Sequence, residues 1–267
     1  MVNGTLATPP AIGYLRHRME RLQVDVYPSE AEAFERTAER ATLALREGVT
    51  ARGRAHAALA GGRGGRGVMA ALAGSGDLPW KDVVWWLGDE RCVPATDPRS
   101  NQRLARETLF VPRGIAADRI RVPPIALGDA ARVAAGYEAM VREALGPEPV
   151  FDVVLLGMGA DGHVASLMPG SAGLAASDAV AAVRADESTS EPKVARITLT
   201  PPVLRAARRV IVTVTGAEKA RMLRQILHAP PAASTPPACL VRPSARVAWV
   251  VDRAAASELL RDASPGE

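Results

Sequence analysis

The chain has 267 residues, 48% hydrophobic and 23% charged, enough for one large domain or two small ones around a substantial core. Its pI is about 9.5, but the formal net charge is only +4 and aromatics make up 4%. A small anion is therefore a better expected ligand than a polyanion, and a base-stacking nucleic-acid surface is not indicated. Lys81, Lys193 and Lys219 are the only lysines, so a lysine in a telling place carries more weight than one of the many arginines.

Residues 1–22 include Pro9, Pro10, Arg16 and Arg18 and lack the apolar stretch of a signal peptide. They are expected to be a flexible N-terminal extension, with Met19 an alternative start. Residues 23–267 are then expected to form one α/β domain. QVDVY at 23–27 reads as a strand, and Pro28-Ser29 offers a helix start before a periodic segment reaching about Glu47. RAHAALA at 54–60 reads as a buried strand running into GGRGGRG at 61–67, with a helix expected from about Gly67. VVWWL at 83–87 is a strand ending in GDERCVP, and helices are expected near Asn101–Thr108 and Asp129–Ala144. FDVVLL at 151–156 is the clearest strand and leads into GMGADGHVASLMPG. RITLT at 196–200, VIVTV at 210–214 and VAWVV at 247–251 follow, with helices from Glu218 to Leu227 and after the last strand. No repeat or long linker divides the pattern.

Strands alternating with helices predict a three-layer, mainly parallel, Rossmann-like sheet with helices on both faces. Ligands of such sheets bind at the carboxyl ends of the strands, so functional residues are expected just after 60, 87, 156 and 214. Cys92 and Cys239 belong to no Cys/His cluster. A structural metal or disulfide framework is not expected, and a reducing, cytoplasmic compartment is. No apolar run approaches the ~18 residues that cross a bilayer.

The loop after 156 fits GxGxxG through Gly157, Gly159 and Gly162, but Pro169-Gly170 ends the segment where a dinucleotide site needs a helix. It carries Asp161 and His163 instead. An imidazole titrates nearest neutral pH, so His163 can take a proton from water and return it, with Asp161 orienting the ring. A loop histidine bonded to backbone is the alternative. His17, His56 and His228 compete poorly, and His56, inside a strand, reads as a core or interface residue.

Asp89, Glu90 and Arg91 end a very apolar strand, where three charges are costly unless they pair or meet a ligand. Asp89 suits sugar hydroxyls, and Arg91 suits a phosphate or hydroxyls. Gly61, Gly62 and the glycines after them have the form of an anion cradle before a helix start. Lys219 in TGAEKA is unfavourable at a helix N-terminus unless an anion lies between them, and Arg196 opens a strand that could reach the same anion.

In this order, GDERCVP with Ser100-Asn101, the loop of Asp161 and His163, RITLT, TGAEKA and a terminal VAWVVD resemble the 6-phosphogluconolactonase family over roughly residues 23–260. The resemblance implies hydrolysis of a phosphorylated sugar lactone in the oxidative pentose phosphate pathway, without metal or organic cofactor. It implies His163 as the base supported by Asp161, Arg196 and Lys219 as phosphate ligands, and Asp89 and Arg91 lining the sugar site. Gly61, Gly62 and Arg63 would contact substrate. The family's glycine pair is usually followed by Ser-Thr-Pro, and here by Arg63-Gly64-Gly65, so weaker substrate affinity is the expectation. The related amino-sugar-phosphate isomerase/deaminases share a similar histidine loop but carry Asn-Glu-Pro where this chain has Ser166-Leu167-Met168-Pro169. That activity, or a weakly active sugar-phosphate-binding relative, is the alternative. No sequence feature suggests an obligate protein partner, so a monomer is expected.

Overall fold

The computed structural model describes residues 23–230, 235–241 and 246–262. The extension expected over 1–22, with His17 and Met19, lies outside them. Strand β1 (Gln23–Tyr27) is followed by helix α1 (Glu30–Arg52), capped where Ser29 accepts a hydrogen bond from the Glu32 N–H at 3.2 Å. Acidic Glu30 and Glu32 in its first turn complement the helix dipole. Next come β2 (Ala55–Leu59), α2 (Gly62–Gly74), β3 (Val83–Leu87), β4 (Asp89–Arg91) and α3 (Asn101–Ala105). The chain continues through β5 (Ile120–Arg121), α4 (Ala130–Leu145), β6 (Val153–Gly157), β7 (Val180–Val183) and β8 (Arg196–Leu199). It closes with α5 (Pro201–Ala206), β9 (Val210–Val214), α6 (Ala220–His228), β10 (Val247–Asp252) and α7 (Ser257–Asp262).

Seven strands pair in parallel in the order β1-β10-β9-β6-β2-β3-β5. Central strands such as VVWWL and VIVTV are buried at every position, as strands covered on both faces must be. Alternation splits them between two cores. Trp85 and Leu87 share one core with Leu45 of α1 and Met69 of α2, while Val84 and Trp86 share the other with Tyr137 of α4 and Ile226 of α6. The expected three-layer, mainly parallel sheet is therefore what the chain forms. Among the described residues no helix is long and apolar enough to cross a membrane.

Strands β4, β5 and β7 and helix α5 were not expected, and two further features differ from expectation. The first is that RITLT does not join the parallel sheet: β8 pairs antiparallel with both β4 and β7 in a second, three-stranded sheet. Gly88 hinges the two sheets, its N–H donating to the Leu59 carbonyl at 2.8 Å while its carbonyl accepts from Leu199 N–H at 2.9 Å. The second is that α2 opens at Gly62 rather than near Gly67. Glycine has poor helix propensity, but here packing decides. A β-carbon at Gly65 would lie 2.1 Å from the Ala60 carbonyl oxygen, so a tight strand-to-helix turn requires that residue. The glycine run is the first turns of a helix, not a cradle preceding one.

Candidate active site

Strand order reverses between β6 and β2, since the chain builds outward from β2 to β3 and β5, and from β6 to β9 and β10. That switch point leaves a crevice at the carboxyl edge. The expected positions after 60, 87, 156 and 214 follow β2, β3, β6 and β9, four neighbouring strands whose ends share this edge.

The loop after β6 turns back on itself, with Gly159 N–H donating to the His163 carbonyl at 2.9 Å. A β-carbon at Gly159 would sit 2.1 Å from His163 Nδ1, so only glycine lets the ring lie over this turn. His163 Nδ1 is 2.6 Å from Asp161 Oδ1, which also accepts the His163 backbone N–H at 3.2 Å. With Nδ1 donating to the carboxylate, Nε2 is left as the free, basic nitrogen. Both side chains keep partial contact with solvent, at 20% for His163 and 32% for Asp161. Thr189 donates its hydroxyl to the other oxygen of Asp161. Burial alone would raise the Asp161 pKa, but bonds from the His163 ring and Thr189 outweigh it and hold the carboxyl well below the usual range.

The three-stranded sheet presents one face carrying Asp89, Arg91, Arg196 and Thr198, because Asp89 is opposite Thr198 and Arg91 opposite Arg196. Like charges directly across a ladder repel, and among the described residues neither arginine has a carboxylate within ion-pair distance. Both Nε atoms are buried without a hydrogen-bond partner. Burial lowers the pKa of Arg196, which is 2% exposed. Its guanidinium holds the carbonyls of Ser190 and Pro192 at 3.3 and 3.1 Å, and Arg91 reaches the Arg99 carbonyl at 2.6 Å. Each arginine thus keeps one buried N–H without a protein partner.

Asp89 is buried and faces inward on both oxygens. Ser166 donates to Oδ2 at 2.6 Å, and Asn101 to Oδ1 at 3.2 Å and to the Asp89 carbonyl at 2.9 Å. The first bond ties the loop of His163 to β4. Glu90 is structural, accepting N–H groups of Arg91, Asn101 and Gln102, each at 2.7 Å, and the Ser100 hydroxyl at 3.0 Å. Burial raises its pKa, and those four bonds oppose the rise. Gly61 precedes α2 in extended conformation and lies against Asn101, where an added β-carbon would be 1.9 Å from Oδ1.

Arg63, in the first turn of α2, reaches across to Glu218 at 2.8 Å, which brings it beside Lys219. This pair is more than half exposed on both sides and adds little stability. Lys219 ends a 3-10 turn (Ala217–Lys219) and immediately precedes α6. Burial lowers its pKa and Arg63 pushes the same way, against Glu218 and Asp252. Gly62 forms the first residue of α2, and a small hollow lined by Gly64, Gly65, Gly157, Thr213 and apolar side chains such as Met69 and Leu155 lies beneath this end of the helix. Short side-chain contacts thus join Gly61 to Asn101, Asp89, Ser166 and the His163 loop, while Arg63 and Lys219 face the same edge from β2 and β9.

Sequence reasoning missed Thr189, Ser190 and the roles of Ser166 and Asn101. Ser100-Asn101 stood out as a motif, whereas nothing in the local pattern around Thr189 marks a residue bonded to Asp161. Among the described residues, no group of three or more His, Cys, Asp or Glu side chains is placed to hold a metal ion.

A sequence profile for glucosamine-6-phosphate isomerases/6-phosphogluconolactonase matches residues 28–249. A 6-phosphogluconolactonase of Streptomyces coelicolor is 35% identical, the match covering 91% of this chain and 97% of that protein. One from Synechocystis is 32% identical over 89% and 98%. The solved structure of 6-phosphogluconolactonase from Trypanosoma cruzi superposes with a TM-score of 0.82 at 29% identity, covering 91% of this chain and 99% of that one. A monomeric glucosamine-6-phosphate deaminase shares the fold, with a TM-score of 0.75 at 21% identity, over 88% of this chain and 99% of that one.

Proposed function

The chain belongs to the glucosamine-6-phosphate isomerase/6-phosphogluconolactonase family, and on that footing we propose that it hydrolyses 6-phosphoglucono-1,5-lactone to 6-phosphogluconate with His163 as the base. The activity itself is that of a carboxylic ester hydrolase in the pentose phosphate pathway, as its relatives' names indicate. What most supports His163 is its bond to Asp161 at 2.6 Å at the carboxyl end of β6, where a water would meet a bound lactone.

In this reading Nε2 takes a proton as the water oxygen bonds to the lactone carbonyl carbon, and Asp161 stabilises the imidazolium formed. Negative charge moves to the carbonyl oxygen, where a nearby cation or N–H lowers the barrier. The carbonyl re-forms as the bond to the ring oxygen breaks. That oxygen takes the proton from Nε2, leaving a hydroxyl and a carboxylic acid. Arg196, Lys219 and Arg63 hold the phosphate; Asp89, Arg91, Gly61 and Gly62 line the sugar. Asp89 contributes mainly through the loop and Asn101, since both its oxygens are already engaged.

The deaminase alternative is weaker, because Ser166 of the Ser-Leu-Met-Pro run bonds Asp89 and is part of this site's own framework. Turnover of freshly generated lactone above its spontaneous opening tests the proposal; ammonia release from glucosamine 6-phosphate at a greater rate would replace it. The protein is proposed to act as a cytoplasmic monomer of one domain over 23–267. A solution mass near 28.1 kDa supports the monomer, and twice that mass refutes it.

A further inference from the structure

We propose that Thr189 is a positioning residue for the catalytic pair, its hydroxyl turning the Asp161 carboxylate so that one oxygen faces His163 Nδ1. The inference rests on the lactonase reading of the His163 site. A carboxylate rotates broadly about its last torsion, and Asp161 stands in a glycine-flanked loop, about a third exposed. Oδ1 is held twice by residue 163, through its ring and its backbone N–H. Among the described residues, the hydrogen bond to Oδ2 comes from Thr189. Without it the carboxylate is anchored through Oδ1 alone, and its plane is less firmly set against the ring.

Thr189 is exposed, and the residues on either side of it are anchored. Ser188 donates to the Ser190 carbonyl at 2.8 Å, and Lys193 donates back to the Ser188 carbonyl. Arg196 grips Ser190 through both its carbonyl and its hydroxyl at 3.3 Å, and Pro192 through its carbonyl at 3.1 Å. Glu187 accepts the backbone N–H groups of Ala172 at 3.0 Å and Arg184 at 2.8 Å. The Thr189 oxygen also touches Met168 Sδ at 3.4 Å. A hydroxyl has one proton, and a carboxylate is a far better acceptor than a thioether, so the hydroxyl donates to Asp161. The segment therefore acts as a brace from β8 to the loop of His163.

The test compares Thr189→Val, which removes the hydroxyl but keeps the branched shape, with Thr189→Ser, which keeps the hydroxyl. For Thr189→Val, kcat is expected to fall about tenfold with KM little changed, as for a displaced catalytic group, and Thr189→Ser to recover most of the rate. Nitrogen-15 shifts of the His163 ring in unliganded protein report which nitrogen carries the proton. They should show mainly Nδ1–H in the unaltered protein and in Thr189→Ser, and a tautomer mixture in Thr189→Val. Unchanged kcat and ring shifts in a folded Thr189→Val protein, or a Thr189→Ser variant as impaired as the valine one, overturn the proposal. If the unaltered chain fails to exceed spontaneous lactone opening, the lactonase reading falls, while the ring shifts still decide the role of Thr189.

Discussion

Replacing Asp161 with asparagine probes the pair proposed as catalytic base and support, because it removes the charge while nearly preserving size. The bond lost is short, 2.6 Å, and joins a charged acceptor to the ring that the proposed mechanism makes cationic. Hydrogen bonds to charged groups contribute about 1.5–3 kcal/mol net. His163 is 20% exposed and Asp161 32%, so solvent screens the interaction in part. At about 1.4 kcal/mol per factor of ten, Asp161→Asn should lower kcat about 10- to 150-fold, with a smaller effect on KM. Asp161 is held well below the usual carboxylate range, so it stays ionised at the pH of the assay and the acid limb of activity does not come from its protonation. The assay is steady-state acid release from fresh lactone, read with a pH indicator and corrected for uncatalysed opening. An Asp161→Asn enzyme within about twofold of the unaltered kcat would be well outside that range and would refute the role assigned to the pair.

Lys219→Ala should raise KM for the phosphorylated lactone about tenfold or more, the loss of one charge-assisted bond, and change KM for unphosphorylated gluconolactone little; equal effects on both would mean that Lys219 does not read the phosphate. His56 makes stability depend on pH. Burial lowers its pKa from 6.5 to about 4, and its Nδ1 accepts the Trp86 indole N–H at 3.1 Å. The unfolded chain therefore binds the extra proton first. The contribution of neutral His56 is fully present above the unfolded pKa of 6.5 and lost as pH falls toward about 4. Denaturant midpoints measured across that window should fall with pH and flatten in His56→Gln; an equal slope in both proteins would contradict this.

The parallel sheet was legible because its central strands are short, apolar runs with no polar face, and because Pro, Ser and Gly mark the turns between them. The second sheet was not. Its members mix DER, VAAV and RITL, whose pairing depends on Gly88 hinging one sheet to the other and on no periodicity within any strand. The start of α2 was misjudged because propensity disfavours glycine, while close contact with the Ala60 carbonyl demands it. His163 and Asp161 were readable because a polar pair two residues apart in a small-residue loop stands out. Thr189 and Ser166 were not, since their partners lie 28 and 77 residues away and only the tertiary fold brings them together. Arg63 was expected to contact substrate, and its pairing with Glu218 across the edge sets its direction but had no local signature.

The most direct measurement is lactone hydrolysis by the unaltered protein and by His163→Ala, side by side, over the spontaneous background. The account predicts clear acceleration by the first and loss of most of it in the second, with both proteins folded. Full turnover in His163→Ala would contradict it.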